Sequence, residues 1–125
     1  MPGTITILNK HHGHTDGIDI MRGTPLGNPY PITDDCPREL SLERYREWLR
    51  QQYTSRTGDA YKQLMWLVDR YEEGWHLRLL CVCKPKACHG DIIKQAVEGI
   101  YQQRTKRRNR QRVDAAIQAY AAKKL

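Results

Sequence analysis

A small α/β layer fold, with a short and mainly parallel sheet and a long C-terminal helix, is what this chain predicts, and three observations carry the expectation. Two apolar runs of strand character stand far apart, at residues 4–8 and 75–83. Two segments of helical periodicity lie between them and a third follows the second strand. The connection between the strands is too long for a hairpin, which favours parallel pairing with helices layered on the sheet.

The elements follow in order. Thr4-Ile-Thr-Ile-Leu8 is rich in β-branched residues and reads as a buried strand. A polar turn, His11-His-Gly-His-Thr-Asp-Gly17, leads to a short second strand over residues 18–21. Residues 22–31 hold two glycines, three prolines and one arginine, which excludes a regular element and predicts an ordered loop. Leu42, Tyr45, Leu49 and Tyr53 recur at helical spacing and predict a helix over 38–53. Thr54–Gly58 breaks it. Asp59 can cap a second helix, whose inner face would hold Tyr61, Leu64, Met65, Val68 and Tyr71. Gly74 ends that helix and residues 75–83 form the strongest strand. The last helix starts near Asp91, with Ile93, Val97, Ile100 and Tyr101 facing inward. No Gly or Pro follows Gly99, so the helix can run through the basic segment, where Val113, Ile117 and Tyr120 form a second, weaker stripe.

A chain of 125 residues can bury one real core. Its net charge of +7 is uneven: residues 1–98 balance 13 Lys/Arg against 13 Asp/Glu, whereas residues 99–125 carry eight cations and only Asp114. The division expected is an α/β domain over 1–103 and a basic helical extension over 104–125. No stretch has the length of a membrane span. The first residues lack the basic and apolar regions of a signal peptide, so a cytoplasmic protein with reduced cysteines is expected. Cys81 and Cys83 are too close along a strand to bridge without strain.

In an open parallel sheet, ligands bind beyond the carboxyl ends of the strands. The turn at residues 11–14 and the loop at 84–90 leave the carboxyl ends of the first and last strands. Parallel pairing of Rossmann-like type therefore puts both on one side, with the 22–31 loop able to close over them. The block Cys81-Val-Cys-Lys-Pro-Lys-Ala-Cys-His-Gly-Asp91 sits at the strand-to-helix junction, where free backbone N–H groups and the helix dipole favour an anion and can lower a thiol pKa.

Two blocks together resemble the DUF4326 family: Arg22-Gly-Thr-Pro-Leu-Gly-Asn-Pro-Tyr30, followed by Tyr45 and Trp48-Leu49 on a helix, and then Leu80-Cys-Val-Cys-Lys-Pro-Lys-Ala-Cys-His-Gly-Asp91. The second block is also similar to the Cys-His-Arg end of the DUF488 family, with Gly90 in place of Arg. The resemblance implies a bacteriophage or phage-like source and leaves the chemistry open.

The residues themselves offer several chemistries. Arg22 can fork onto a phosphate or carboxylate. Gly23 and Gly27 permit close backbone approach. Asn28, held extended by Pro29, can read a base edge or ribose, or else satisfy its own loop. Cys88 and His89 are the catalytic candidates, as nucleophile and neighbour, while Gly90 and Asp91 at the helix start would cradle an anion. Zinc could draw on Cys81, Cys83, Cys88 and His89, but adjacent ligands at positions 88 and 89 fit a structural site poorly, so no metal and no cofactor are expected. His11, His12 and His14 are either ligands or a solvated turn, and His76 is read as structural. Arg104, Lys106, Arg107, Arg108, Arg110 and Arg112 can neutralise nucleic-acid phosphates, or belong to a solvated helix or an oligomerisation arm.

The leading expectation is a protein that binds a nucleotide-derived or other phosphorylated small molecule, such as a nucleotide signal of host defence sequestered in a phage setting. The alternatives are a hydrolase acting on an N-glycosidic or phosphoester bond of such a molecule, and a nucleic-acid-associated accessory protein using the basic tail. A membrane partner is not expected; a homo-oligomer is allowed.

Overall fold

The structure, a computed structural model, describes residues 1–13 and 16–124. Strand β1 (Thr4–Asn9) is followed by a single 3-10 turn (Lys10–His12) and strand β2 (Ile18–Asp19). Helices α1 (Arg38–Ser55) and α2 (Asp59–Glu72) come next, then strand β3 (His76–Cys81) and helix α3 (His89–Lys124). The sheet order is β1-β3-β2, and β3 is parallel to both neighbours, with Ile5 opposite Leu77 and Ile18 opposite Leu79. This is the expected α/β layer fold with a long C-terminal helix.

Alternation along the strands decides which side is covered. Leu77, Leu79 and Cys81 of β3 join Ile5 of β1 in a core that also takes Tyr45 and Leu49 from α1, Leu64, Leu67 and Val68 from α2, and Ile93 and Val97 from α3. Leu80 points the other way and is also buried. Gly17, which leads into β2, lies over it, since a Cβ on Gly17 would lie 3.1 Å from Leu80 Cγ.

Several element boundaries differ from the sequence reading. β2 is two residues long. α1 continues to Ser55, and Arg56 closes it in the left-handed region (φ 58°). Gly58, not Asp59, is the N-cap of α2, and no side chain caps that end. The buried face of α2 is centred on Ala60, Leu64, Leu67 and Val68, which leaves Tyr61, Met65 and Tyr71 half-buried at its edge. α3 begins two residues early, at His89, and its 36 residues run unbroken through position 104 to Lys124. Arg104 pairs with Asp69 (2.8 Å) and Arg108 with Glu72, which fixes α3 to α2 as far as residue 108. Beyond it the helix projects from the body for roughly 24 Å at 1.5 Å per residue, with Val113 and Ile117 exposed. No helix among the described residues is long and apolar enough to cross a membrane.

Candidate functional site

The 22–31 loop, the end of β3 and the start of α3 meet at the carboxyl edge of the sheet. They enclose a cleft of about 300 Å³, lined by Met21, Arg22, Asn28, Tyr30, Pro31, Ile32, Val82, Cys83 and His89. Such a volume is at the lower end of small-molecule sites.

The loop is rigid because its polar groups are spent on itself. Asn28 Oδ1 accepts from the Tyr30 N–H (2.9 Å), and Asn28 Nδ2 donates to Ser41 Oγ (2.9 Å). Ser41, on α1, in turn donates to the Tyr30 carbonyl (2.6 Å). Tyr45 donates to the Leu26 carbonyl (2.7 Å) from a fully buried position. Gly27 is packed so tightly that a Cβ would lie 2.4 Å from the Met21 carbonyl oxygen. Asn28 thus borders the cleft with its amide already committed to the loop. Pro29 and Gly23 are exposed, and Gly23 has φ 93° with open space around it. Arg22 is exposed at the cleft rim, and among the described residues it makes no hydrogen bond or ion pair.

The start of α3 differs from the expected anion cradle. Cys88 acts as its cap: Cys88 Sγ accepts from the Gly90 N–H (3.3 Å) and the Cys88 carbonyl accepts from the Asp91 N–H (3.0 Å). Asp91 reaches back to the Cys88 N–H (3.2 Å), completing a reciprocal cap. The Asp91 carboxylate also holds Lys84 at 2.7 Å, so the helix end carries its own anion. Gly90 makes room for packing, since a Cβ there would lie 2.8 Å from Ile7 Cγ2.

Cys88 is buried, and burial pushes its thiol well above the usual range. The Gly90 N–H opposes that rise only in part, and Cys81 and Cys83 add to it. The expected thiolate at position 88 is therefore corrected: desolvation outweighs the helix dipole. His89 is buried too, and burial lowers its pKa against the opposing pull of the Ile20 carbonyl and Asp91. Its Nε2 contacts the Ile20 carbonyl at 2.5 Å. A carbonyl only accepts, so Nε2 carries the proton and Nδ1 is left facing Cys88 Sγ at 3.8 Å. Tyr45 packs edge-on against the His89 ring. Both imidazole nitrogens are thus occupied by the fold.

Among the described residues no three His, Cys, Asp or Glu side chains are grouped so as to hold a metal ion. All four cysteines are free. His11 and His12 are exposed on the 3-10 turn, and His14 lies outside the described residues. His76 Nδ1 meets Thr4 Oγ1 at 2.9 Å across the sheet.

The sequence reading did not single out Met21, Ile32 or Val82, and it took Cys83 only as a strand residue and a possible zinc ligand. Cys83 is half-buried and lines the cleft, whereas its neighbours Cys81 and Cys88 are enclosed. Asn9, at the end of β1, donates to the Lys84 carbonyl (2.8 Å) and accepts from the His11 N–H (2.8 Å), tying the two edge loops together. An Asn that ends a β-branched run and opens a polar turn is the signal that could have marked it.

The tail cations divide. Arg104 and Arg108 are bound to acids of α2. Lys106, Arg107 and Arg110 border a groove on the helix, and Arg112 is exposed elsewhere on it.

The comparisons with known proteins fit this geometry. Residues 7–99, from β1 into α3, match the model of a domain of unknown function, DUF4326. The chain belongs to the DUF4326 family. It is similar to the "Uncharacterized 12.4 kDa protein in nrdA-td intergenic region" of Enterobacteria phage T4, at 33% identity over 96 residues, covering 76% of this chain and 79% of that protein. No solved structure matches. The family match spans the whole cleft and stops before the projecting part of α3.

Proposed function

We propose that this DUF4326 protein binds a small phosphorylated molecule of nucleotide type in the cleft at the carboxyl edge of the sheet, and that it sequesters this molecule rather than transforming it. The observation that carries the reading is Arg22: an unpaired guanidinium at the rim of a rigid pocket, suited to a forked contact with phosphate. Val82, Ile32 and Pro31 supply apolar wall for a base or sugar, and Tyr30 an aromatic face. Binding is favoured over hydrolysis because the candidate nucleophile is a buried, protonated thiol and the candidate base has no free nitrogen. The likeness to a phage T4 protein supports a phage setting, in which capture of a nucleotide signal of host defence is one use of such a pocket.

Native mass spectrometry of the protein purified from cells tests the reading. A retained mass matching a nucleotide-type molecule is expected, and Arg22→Ala should lose it. The same mass retained by the variant would rule out the cleft as its seat.

A further inference from the structure

A second surface lies away from this cleft. α1, the start of α2 and the middle of α3 leave a groove between them in two sections of about 280 and 260 Å³, and from Gln103 it continues along the face of α3 alone as a section of about 520 Å³. It follows α3 from Gln95 to Asp114, roughly 28 Å at the helical rise. Its free and loosely held cations come from two parts of the chain that the sequence keeps apart: Arg46, Arg50 and Arg56 from α1 and its C-cap, and Lys106, Arg107 and Arg110 from α3; Arg104 also lines it but is paired with Asp69 and Glu72. Arg46 donates to Gln95 and Arg50 pairs loosely with Glu47. The other four make no hydrogen bond or ion pair among the described residues. Asp114 is the acid on the lining of these sections.

Two further features point to what the groove would take. Tyr53 and Tyr61 stand between the cations, with ring centroids 6.5 Å apart. Gly99 is on the groove floor in mid-helix, and a Cβ there would meet nothing within 4 Å. Packing does not require that glycine, although it weakens the helix relative to alanine. Its effect is to keep the floor low.

We infer that the α1–α3 groove is a binding track for single-stranded nucleic acid, with the guanidinium groups on the phosphates and the tyrosines against the bases. Arginines spaced along a groove with interleaved aromatics are the composition that such a strand requires. An acidic amphipathic helix would need an apolar floor throughout, but apolar lining is concentrated near Leu49, Ile92 and Ile100. This track is independent of the cleft at Arg22.

Fluorescence anisotropy of a short labelled oligothymidylate, at about 50 mM salt, tests the inference on the full chain. Arg50→Glu and Arg107→Glu should each weaken binding about tenfold, although only the second residue belongs to the basic tail. Arg112→Glu makes the same charge change nine residues from Gln103, two and a half turns away and so on the opposite helix face. It should change binding less than about twofold. Tyr61→Ala should also weaken binding, by about tenfold. All four side chains lie outside the buried core, and unchanged thermal midpoints would confirm intact folding. The inference is overturned if the strand does not bind, if Arg112→Glu loses as much as Arg50→Glu, or if duplex DNA or polyglutamate binds as tightly.

Discussion

Alanine at Gly90 and at Gly99 should move stability in opposite directions, although both residues lie on α3 nine positions apart. At Gly90 the new Cβ would sit 2.8 Å from Ile7 Cγ2 and 3.0 Å from Ile20 Cδ1. Ile20 is fully buried, and the Ile7 methyl branches directly from its Cβ, so neither can swing aside freely. Overpacking of this kind costs about 1–3 kcal/mol, against a propensity gain of at most about 1 kcal/mol, leaving a net loss of about 1 kcal/mol. At Gly99 nothing opposes the Cβ, and the helix should gain about 0.5–1 kcal/mol. The two variants should therefore differ by about 1.5–2 kcal/mol. Urea unfolding followed by circular dichroism would resolve this gap as midpoints about 1 M apart. A Gly90→Ala chain as stable as the parent would refute the reasoning, because α3 would then not be clamped against β1 and β2. A destabilised Gly99→Ala chain would show that the groove floor is not open.

Three other outcomes follow from the site. Native alkylation near neutral pH should modify Cys83 well before Cys36, Cys81 and Cys88, read by peptide mass spectrometry; rapid labelling of Cys88 would contradict its enclosed, protonated state. Because the folded protein holds His89 below its ordinary pKa, the unfolded chain takes up that proton first. The His89 contribution is complete above about pH 6.5 and fades on acidification, at up to about 1.4 kcal/mol per pH unit. His89→Gln should flatten this part of the stability–pH profile, and an unchanged profile would show that another group sets it. Ending the chain at Asn109 should lower the thermal midpoint by no more than a few degrees, since the ion pairs to α2 end at Arg108 and Val113 and Ile117 are exposed. Unfolding of that shortened chain would mean that the projecting helix is part of the core.

The parallel sheet and the meeting of its edge loops were legible in the sequence because they follow from element order. The long crossover from residue 9 to residue 76 left parallel pairing as the simple solution, and the strand polarity then put the 11–14 turn and the 84–90 loop on one side, with the 22–31 loop able to close over them. The chemistry of the Cys-His-Gly-Asp block was not legible, because it depends on desolvation. The same four residues would make an anion cradle with an activated thiol if they were open to solvent. With Cys88, His89 and Gly90 buried against Ile7, Ile20 and Tyr45, they make a self-capped helix start with a protonated thiol. Asn28 illustrates the same limit, since its amide could equally have read a ligand or closed its own turn, and Ser41 decides it. The groove was invisible because Arg50 and Arg107 come together only through the packing of α1 on α3.

The proposed function rests on Arg22 holding an anionic nucleotide-type ligand in the cleft. A thermal-shift screen of nucleotides and cyclic nucleotides, on the parent chain and on Arg22→Ala, tests it most directly. A stabiliser worth about 2.7 kcal/mol at a concentration one hundred times its Kd is expected. The shift should be lost in Arg22→Ala, while the unliganded variant melts with the parent, because the Arg22 side chain makes no hydrogen bond or ion pair among the described residues. A nucleotide that stabilises both chains equally, or a full panel that stabilises neither, would contradict it.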